Sequence, residues 1–358
     1  MKTPNVVFNG VGSFVPENVV PNEHFLQHEF YMEDGTPFEV SNEEIIQKFE
    51  KITGIKERRY ADKDQLNSDL GFIAAENALK NSTIDKEDLD YIIYAHNFGD
   101  IEYGTNRVDN MPSLAAKVKH KLNIKNPDVV CYDIIFGCPG WVQGVIQAYQ
   151  MIRSGFCRNI MVIGAETLSR CVDPHDRDGM IFSDGAGATI VSASYDDDRK
   201  GILGFANRTD AAEELNYLAM GKSNKPGLEE EARFIKMKGR KIYEYALDEV
   251  AAAMQIALKR SGIFLENIQK VLIHQANAKM DEAILRKLGQ LYDLRLEAKE
   301  MMPMTIQKFG NNSVATVPVM LDLMLKGELE GHKVKSGDDI ILASVGAGMH
   351  INAIIYRM

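Results

Sequence analysis

Ala78-Leu79-Lys80-Asn81-Ser82-Thr83-Ile84 returns later in the chain as Ala257-Leu258-Lys259-Arg260-Ser261-Gly262-Ile263. The displacement is 179 residues (257 minus 78), half of the 358-residue chain. In the same register Ile92-Ile93-Tyr94 lies over Val271-Leu272-Ile273, so the repeated unit is a helix followed by a strand. Self-similarity at this spacing predicts two halves of like fold. The expected halves are 1–195 and 196–358, divided in the polar stretch Tyr195-Asp196-Asp197-Asp198-Arg199-Lys200-Gly201, where a turn or linker is expected.

Around the repeat lie short apolar runs rich in branched residues: 5–15, 91–95, 129–136, 160–163, 188–191, 271–273 and 340–343. Each reads as a buried strand. Helical patterns over 70–80, 114–122, 142–153, 242–260 and 314–326 alternate with them. That alternation makes the class α/β.

Composition sets the outer limits. Forty-one Lys plus Arg against 51 Asp plus Glu give a net charge of −10, so no global field draws the chain onto nucleic acid or anionic lipid. Four cysteines, Cys131, Cys138, Cys157 and Cys171, contain no CxxC pair and are too few for a disulfide scaffold, which fits a reducing compartment. Met1-Lys2-Thr3-Pro4-Asn5 leads into only three consecutive apolar residues, and no apolar run reaches membrane-spanning length. The expectation is a cytoplasmic protein with no membrane and no nucleic-acid partner.

Cys138 follows an apolar strand and precedes Pro139, Gly140 and a helical pattern carrying Val142, Val145, Ile146 and Tyr149. Proline suits the first helical position, which makes Cys138 the expected N-cap. A thiol there feels the positive end of the helix dipole, so its pKa is expected to fall and its sulfur to become nucleophilic. Gly137 and Gly140 are expected to let a substrate approach the sulfur. His274 stands at the end of the strand 271–273, where sites gather in α/β sheets. Gly310-Asn311-Asn312-Ser313 precedes a helix; a capped turn explains one asparagine and Ser313 but not both asparagines.

Other signals are weaker. Gly10-Val11-Gly12 lacks the third glycine of a dinucleotide fingerprint, and Gly185-Ala186-Gly187-Ala188 leads into a strand, so both read as close-packing turns. Asp173, His175, Asp176 and Asp178 match neither a calcium loop nor a zinc site. Met301, Met302 and Met304 are expected to line a flexible apolar channel.

Cys138, His274 and Asn311, in that order and context, resemble the β-ketoacyl-acyl-carrier-protein synthase III family of the thiolase superfamily. The resemblance extends through Thr53-Gly54-Ile55-Lys56-Glu57-Arg58-Arg59, Pro112-Ser113, Gly164-Ala165-Glu166-Thr167, Phe182-Ser183-Asp184-Gly185-Ala186-Gly187-Ala188, Met237-Lys238-Gly239, His274-Gln275-Ala276-Asn277, Gly310-Asn311 and Gly346-Ala347-Gly348. It implies a duplicated, thiolase-like five-layer α/β/α/β/α sandwich that forms a homodimer. It also implies decarboxylative condensation of an acyl thioester with a malonyl-acyl-carrier protein, through an acyl group on Cys138. His274 and Asn311 would stabilise the enolate, and the backbone N–H groups of Cys138 and Ala347 would form the oxyanion hole. Gly346, Gly348 and Lys279 would belong to substrate or carrier binding. Acyl-CoA or an acyl-carrier thioester and an acyl carrier protein are the implied partners, and no metal or other cofactor is implied.

Departures from the family pattern matter for the donor. The family's adenine-stacking tryptophan is Lys48 here, a nearby arginine is Ile52, and the phosphate-binding arginine is Lys279, which keeps charge but loses the bidentate fork. Segments 22–41 and 97–110 look long. A condensing enzyme or acyltransferase of secondary metabolism using longer or carrier-bound acyl donors is therefore the alternative, with a non-catalytic chain-length subunit as a third reading. Arg233, Lys236, Lys238, Arg240 and Lys241, with Lys279, Arg286 and Lys287, form the expected docking face for an acidic carrier.

Overall fold

The computed structural model describes residues 3–196, 198–228 and 232–358; Met1, Lys2 and Asp197 lie outside them. In the first half β1 (Asn5–Phe14), β2 (Tyr91–His96), β3 (Val130–Ile135), β4 (Asn159–Thr167) and β5 (Asp184–Ser194) form one sheet in the order β1-β5-β4-β2-β3. The second half contributes β6 (Gly201–Thr209), a hairpin of β7 (Leu218–Gly221) and β8 (Phe234–Met237), then β9 (Ile268–Ile273), β10 (Asp339–Gly346) and β11 (His350–Arg357). Its main sheet runs β6-β11-β10-β9.

The two sheets share a plan. Both β1/β5 and β6/β11 pair antiparallel, as do β5/β4 and β11/β10, while β4/β2 and β10/β9 pair parallel. The strands matched in sequence, β2 and β9, thus occupy matching places. The first sheet differs by carrying β3 beyond β2, in parallel.

The helices are α1 (Asn42–Thr53), α2 (Asn67–Lys80), α3 (Leu114–Lys121), α4 (Gly140–Arg153), α5 (Gly239–Ser261), α6 (Ala278–Gln290) and, after shorter pieces, α7 (Thr316–Leu325). Their ends follow local chemistry. Ser41, Ser113 and Asn277 cap α1, α3 and α6 through their side-chain oxygens, and Gly54 and Gly262 close α1 and α5 in the left-handed conformation.

Period-two strands sort their side chains into separate cores. Ile92 and Tyr94 pack with α2 and α3, whereas Ile93 and Ala95 face α4 and α7. Ile340 and Leu342 meet those same central helices, whereas Ile341 and Ala343 face α5 and α6. The result is five layers: α2 and α3, the first sheet, α4 and α7, the second sheet, α5 and α6. Trp141 and Ile146 of α4 are wholly buried between the sheets, and each such large apolar side chain contributes roughly 1.5–3 kcal/mol by leaving water.

Several local expectations change. Gly10, Gly12, Gly185 and Gly187 lie within strands, not turns. A Cβ on Gly12 would meet the backbone of Asn77 and Ala78 at 2.5 and 2.2 Å, so its role is close approach of α2 to the sheet. The helix expected from residue 314 begins as a 3-10 turn, Ser313–Ala315, before α7. Met302 is core with Met301 and Met304 packed against it, and Met302 and Met304 border a cleft of about 610 Å³ separate from the Cys138 cavity. Among the described residues no helix is long and apolar enough to cross a membrane.

Candidate active site

Strand β3 ends at Ile135 and the chain turns through Gly137, whose φ of +64° is left-handed. Cys138 follows, buried at 9% exposure. Pro139, not Cys138, is the N-cap, because α4 begins at Gly140; the sulfur sits one residue outside the helix. Burial also reverses the expected acidity. Loss of water pushes the Cys138 thiol up to about 12, and the nearby Glu166 carboxyl adds to the rise, while a hydrogen bond from Ser313 opposes it. The free thiol is thus neutral near pH 7.

The two glycines serve the chain itself. A Cβ on Gly137 would lie 2.7 Å from the Ala347 nitrogen, and one on Gly140 would touch Ala95 at 3.0 Å. From the other half, β10 ends at Gly346 and runs into Ala347–Met349, with Gly348 at φ +77° and Met349 at +45°. Gly346 reaches the Cys138 turn so closely that a Cβ there would be 2.5 Å from the Cys138 nitrogen. Phe136 stacks on His350, ring centroids 3.9 Å apart, which ties the two turns together.

His274 leaves β9 with its backbone N–H bonded to Ala343 O at 2.9 Å and is 3% exposed. Burial takes its ring down to about 4, against a hydrogen bond with the Ser313 backbone, so the imidazole is neutral. Its Nδ1 has no hydrogen-bond partner among the described residues. Asn311 is clamped at both backbone groups, its N–H donating to Ile181 O and its carbonyl accepting from Ser183 N, each at 2.9 Å. Asn311 Oδ1 accepts from Ser313 N at 2.8 Å.

Ser313 therefore links the three sequence candidates. Its hydroxyl donates to Cys138 Sγ at 3.2 Å, its N–H holds Asn311, and its backbone bonds the His274 ring. It is no mere cap: its φ is +52°, and the turn it opens has no side-chain cap bond. That contact was invisible in the sequence because 175 residues separate the partners.

Cys138 lines an apolar cavity of about 190 Å³ with Leu168, Phe182, Leu218, Ile235, Ser313 and Ala347 among its walls. His274 and Asn311 are not part of that lining. Ala219, on the β7–β8 hairpin, borders both this cavity and an outer cleft of about 510 Å³ that carries Arg177, Lys222 and Lys238.

The expected docking face is partly spent on internal pairs. Lys236 Nζ bonds Asp173 at 2.6 Å and Asp176 at 2.8 Å, which also shows what that acidic loop does. Arg240 pairs with Glu244, Arg286 with Glu282 and Lys287 with Asp248. Lys279 is exposed in the first turn of α6, and Ala278 beside it lies 3.1 Å from where a Gly54 Cβ would stand, so α1 ends against it. Lys48 and Ile52 are exposed on α1.

A cysteine at a strand-to-helix turn, interlocked with a glycine turn from the other half of a duplicated five-layer sandwich, defines a thiolase-fold condensing enzyme of the acyltransferase class. Comparison with known proteins narrows the class. Residues 132–211 match the sequence model of 3-Oxoacyl-[acyl-carrier-protein (ACP)] synthase III, and residues 258–358 match that of its C terminal part. The chain is 33% identical to the beta-ketoacyl-[acyl-carrier-protein] synthase III of Fusobacterium nucleatum, covering 99% of this chain and 98% of that protein. It is 31% identical to the enzyme of that name from Staphylococcus epidermidis, covering 99% of each. The crystal structure of 3-oxoacyl-[acyl-carrier-protein] synthase III from Aquifex aeolicus superposes with a TM-score of 0.80 at 29% identity, over 99% of this chain and 100% of that one. The chain belongs to the 3-oxoacyl-[acyl-carrier-protein] synthase III family.

Proposed function

We propose that Cys138 takes an acyl group from a CoA or carrier thioester and passes it to the carbanion formed when a malonyl-acyl-carrier protein loses CO2, an initiating step of fatty-acid synthesis. The observation that carries this reading is the interlock of the Cys138 and Ala347 turns, which lies beside an apolar, acyl-sized cavity open at the β3 edge. In acylation the sulfur displaces the donor thiol, which leaves with the proton of Cys138. The backbone N–H groups of Cys138 and Ala347 are the donors for the oxyanion. Decarboxylation then places charge on the malonyl thioester oxygen, to which the neutral imidazole of His274 turns its one N–H from the Ser313 backbone, and the amide of Asn311 hydrogen-bonds it as well. Attack of the carbanion on the acyl carbonyl releases the Cys138 thiolate, so covalent capture splits one hard step into two.

Strand β3 is an open edge with Val130 46% and Ile135 68% exposed, and Ile135 also borders the cavity. This open, apolar edge beside the cavity supports a homodimer in which a second copy docks there. Lys279, exposed in the first turn of α6, takes the phosphate-bearing arm of the donor, and Gly346 and Gly348 flank Ala347 in the cavity wall.

Intact-protein mass spectrometry tests the reading. The protein is offered acetyl-, octanoyl- and palmitoyl-CoA, with and without an acyl carrier. The expected result is a mass gain of one acyl group that Cys138→Ala abolishes. Acyl length in the adduct sets the donor class; no adduct from any donor overturns the proposal.

A further inference from the structure

Ser313 does not stand alone against the sulfur. Asn97 follows directly on β2 and Glu166 is the penultimate residue of β4, neighbouring strands of the first sheet. Glu166 is wholly buried, and its Oε1 accepts from both the backbone N–H of Asn97 and Asn97 Nδ2, the latter at 2.6 Å. Asn97 Nδ2 in turn donates to Ser313 Oγ at 3.0 Å, and Ser313 Oγ donates to Cys138 Sγ at 3.2 Å. With two acceptors facing Nδ2, the amide has one orientation. With one lone pair of its oxygen occupied by Asn97, the Ser313 hydroxyl has its proton free for the sulfur.

We infer that Glu166 and Asn97 are positioning residues for the nucleophile: Glu166 fixes the Asn97 amide, Asn97 fixes the Ser313 hydroxyl, and Ser313 presents its proton to the Cys138 sulfur. The proton stays on Ser313. A hydroxyl donating to a thiolate makes a charge-assisted bond, stronger than one to the neutral thiol, so the chain favours ionisation of a buried sulfur. The inference rests on the reading of Cys138 as nucleophile.

The charge state of Glu166 completes the device. Burial raises this carboxyl to about 8, so it is mainly neutral near pH 7, and Oε2 has no partner among the described residues. A neutral acid still accepts from Asn97 through Oε1 yet adds no negative charge beside the sulfur. The other titratable groups facing it are Asp184 on β5, Tyr94 on β2, Cys138 and Cys171. Asp184 lies at about 6, while burial holds Tyr94 and Cys171 well above their ordinary values. As pH rises through about 8, Glu166 becomes an anion that opposes the thiolate.

Alkylation of Cys138 by iodoacetamide, followed by intact mass, reads this without any acyl substrate, so its outcome is independent of the donor assignment. Ser313→Gly removes the hydroxyl and tolerates the left-handed backbone; its alkylation rate near pH 8 is expected to fall about tenfold, the typical value of a hydrogen bond to a charged group. Asn97→Ala should slow alkylation as well, yet add less than about twofold in the Ser313→Gly background, because it acts through that hydroxyl. Glu166→Gln keeps an acceptor for Asn97; it should retain the rate near pH 7 and show a steeper rise above pH 8 than the native protein. Native alkylation rates in Ser313→Gly, multiplicative effects of the Ser313 and Asn97 changes, or a Glu166→Gln profile that overlays the native one each overturn the inference.

Discussion

A Cβ atom on Gly346 would stand 2.5 Å from the backbone nitrogen of Cys138. The Cys138 turn and the glycine turn of the opposite half are thus in backbone contact, with no room for a side chain between them. The adjacent Ala347 nitrogen is held just as tightly, 2.7 Å from where a Gly137 Cβ would be. Spacing between the Cys138 and Ala347 nitrogens, the proposed oxyanion donors, is therefore set by packing of the two sheets rather than by a flexible loop.

Gly346→Ala forces those turns apart. The expected outcome is loss of acyl-enzyme formation by at least about a hundredfold, the scale of losing one oxyanion donor. Intact-mass kinetics with the preferred acyl donor measure it. Thermal unfolding of the same variant should show a drop too, but Cys138 should stay alkylatable by iodoacetamide, since the defect lies in the donors and not in the sulfur.

His274 gives a pH signature. Its ring titrates near 4 in the folded chain and at about 6.5 when unfolded. The unfolded state therefore binds more protons between those values, and the native state loses stability as pH falls through that window. His274→Asn has no such term. Urea midpoints at about pH 5 and pH 7 should show native protein losing more stability on acidification than His274→Asn does, by about 1–2 kcal/mol. Equal losses would show that the ring is not buried neutral.

Much of this architecture is legible in the sequence, and what is not has identifiable causes. The Ala78 and Ala257 segments disclose the duplication because buried helix-strand packing constrains both in the same way. Strand β6 does not stand out, since Gly204, Asn207 and Arg208 interrupt its apolar residues, whereas in β11 Asn352 and Arg357 confine the apolar run to Ala353-Ile354-Ile355-Tyr356. Cys138, His274 and Asn311 are visible from their local settings at strand and turn ends. Ser313, Asn97 and Glu166 are not, because what joins them is contact between β2, β4 and the turn before α7, separated by 69 to 216 positions. The expected drop in the Cys138 pKa fails for a related reason: helix position can be read locally, whereas desolvation depends on how both halves close over the sulfur.

Asp281, in the first turn of α6, is wholly buried, and neither carboxylate oxygen has a hydrogen-bond partner among the described residues. Burial raises it well above the carboxylate range. Because the folded value exceeds the unfolded one, the native state holds a proton that the unfolded chain releases, and stability falls as pH rises above about 4. Asp281→Asn keeps the shape and removes the titration. Its gain over native protein should grow as pH rises above about 4 in urea melts; a difference that stays constant from there upward would mean the carboxyl is ionised in the folded chain.

Arg58 is the most demanding of the buried charges. It is wholly buried, with Nη2 donating to Asn22 Oδ1 at 2.7 Å, Nε to Met180 O at 3.0 Å and Nη1 to Val20 O at 3.1 Å. Its guanidinium also lies 4.8 Å from the centroid of Phe25. Three acceptors at fixed angles match a planar fork and not a single ammonium, so Arg58→Lys leaves at least one carbonyl unpaired in a dry setting. Each lost bond of this kind costs about 1–3 kcal/mol, and the variant should unfold at lower urea by about 2–4 kcal/mol. Because Met180 belongs to the segment that leads to Phe182 in the cavity wall, proteolysis of that segment should quicken as well. An unchanged urea midpoint in Arg58→Lys would show that the charge, and not the fork, anchors the segments of Val20, Asn22 and Met180.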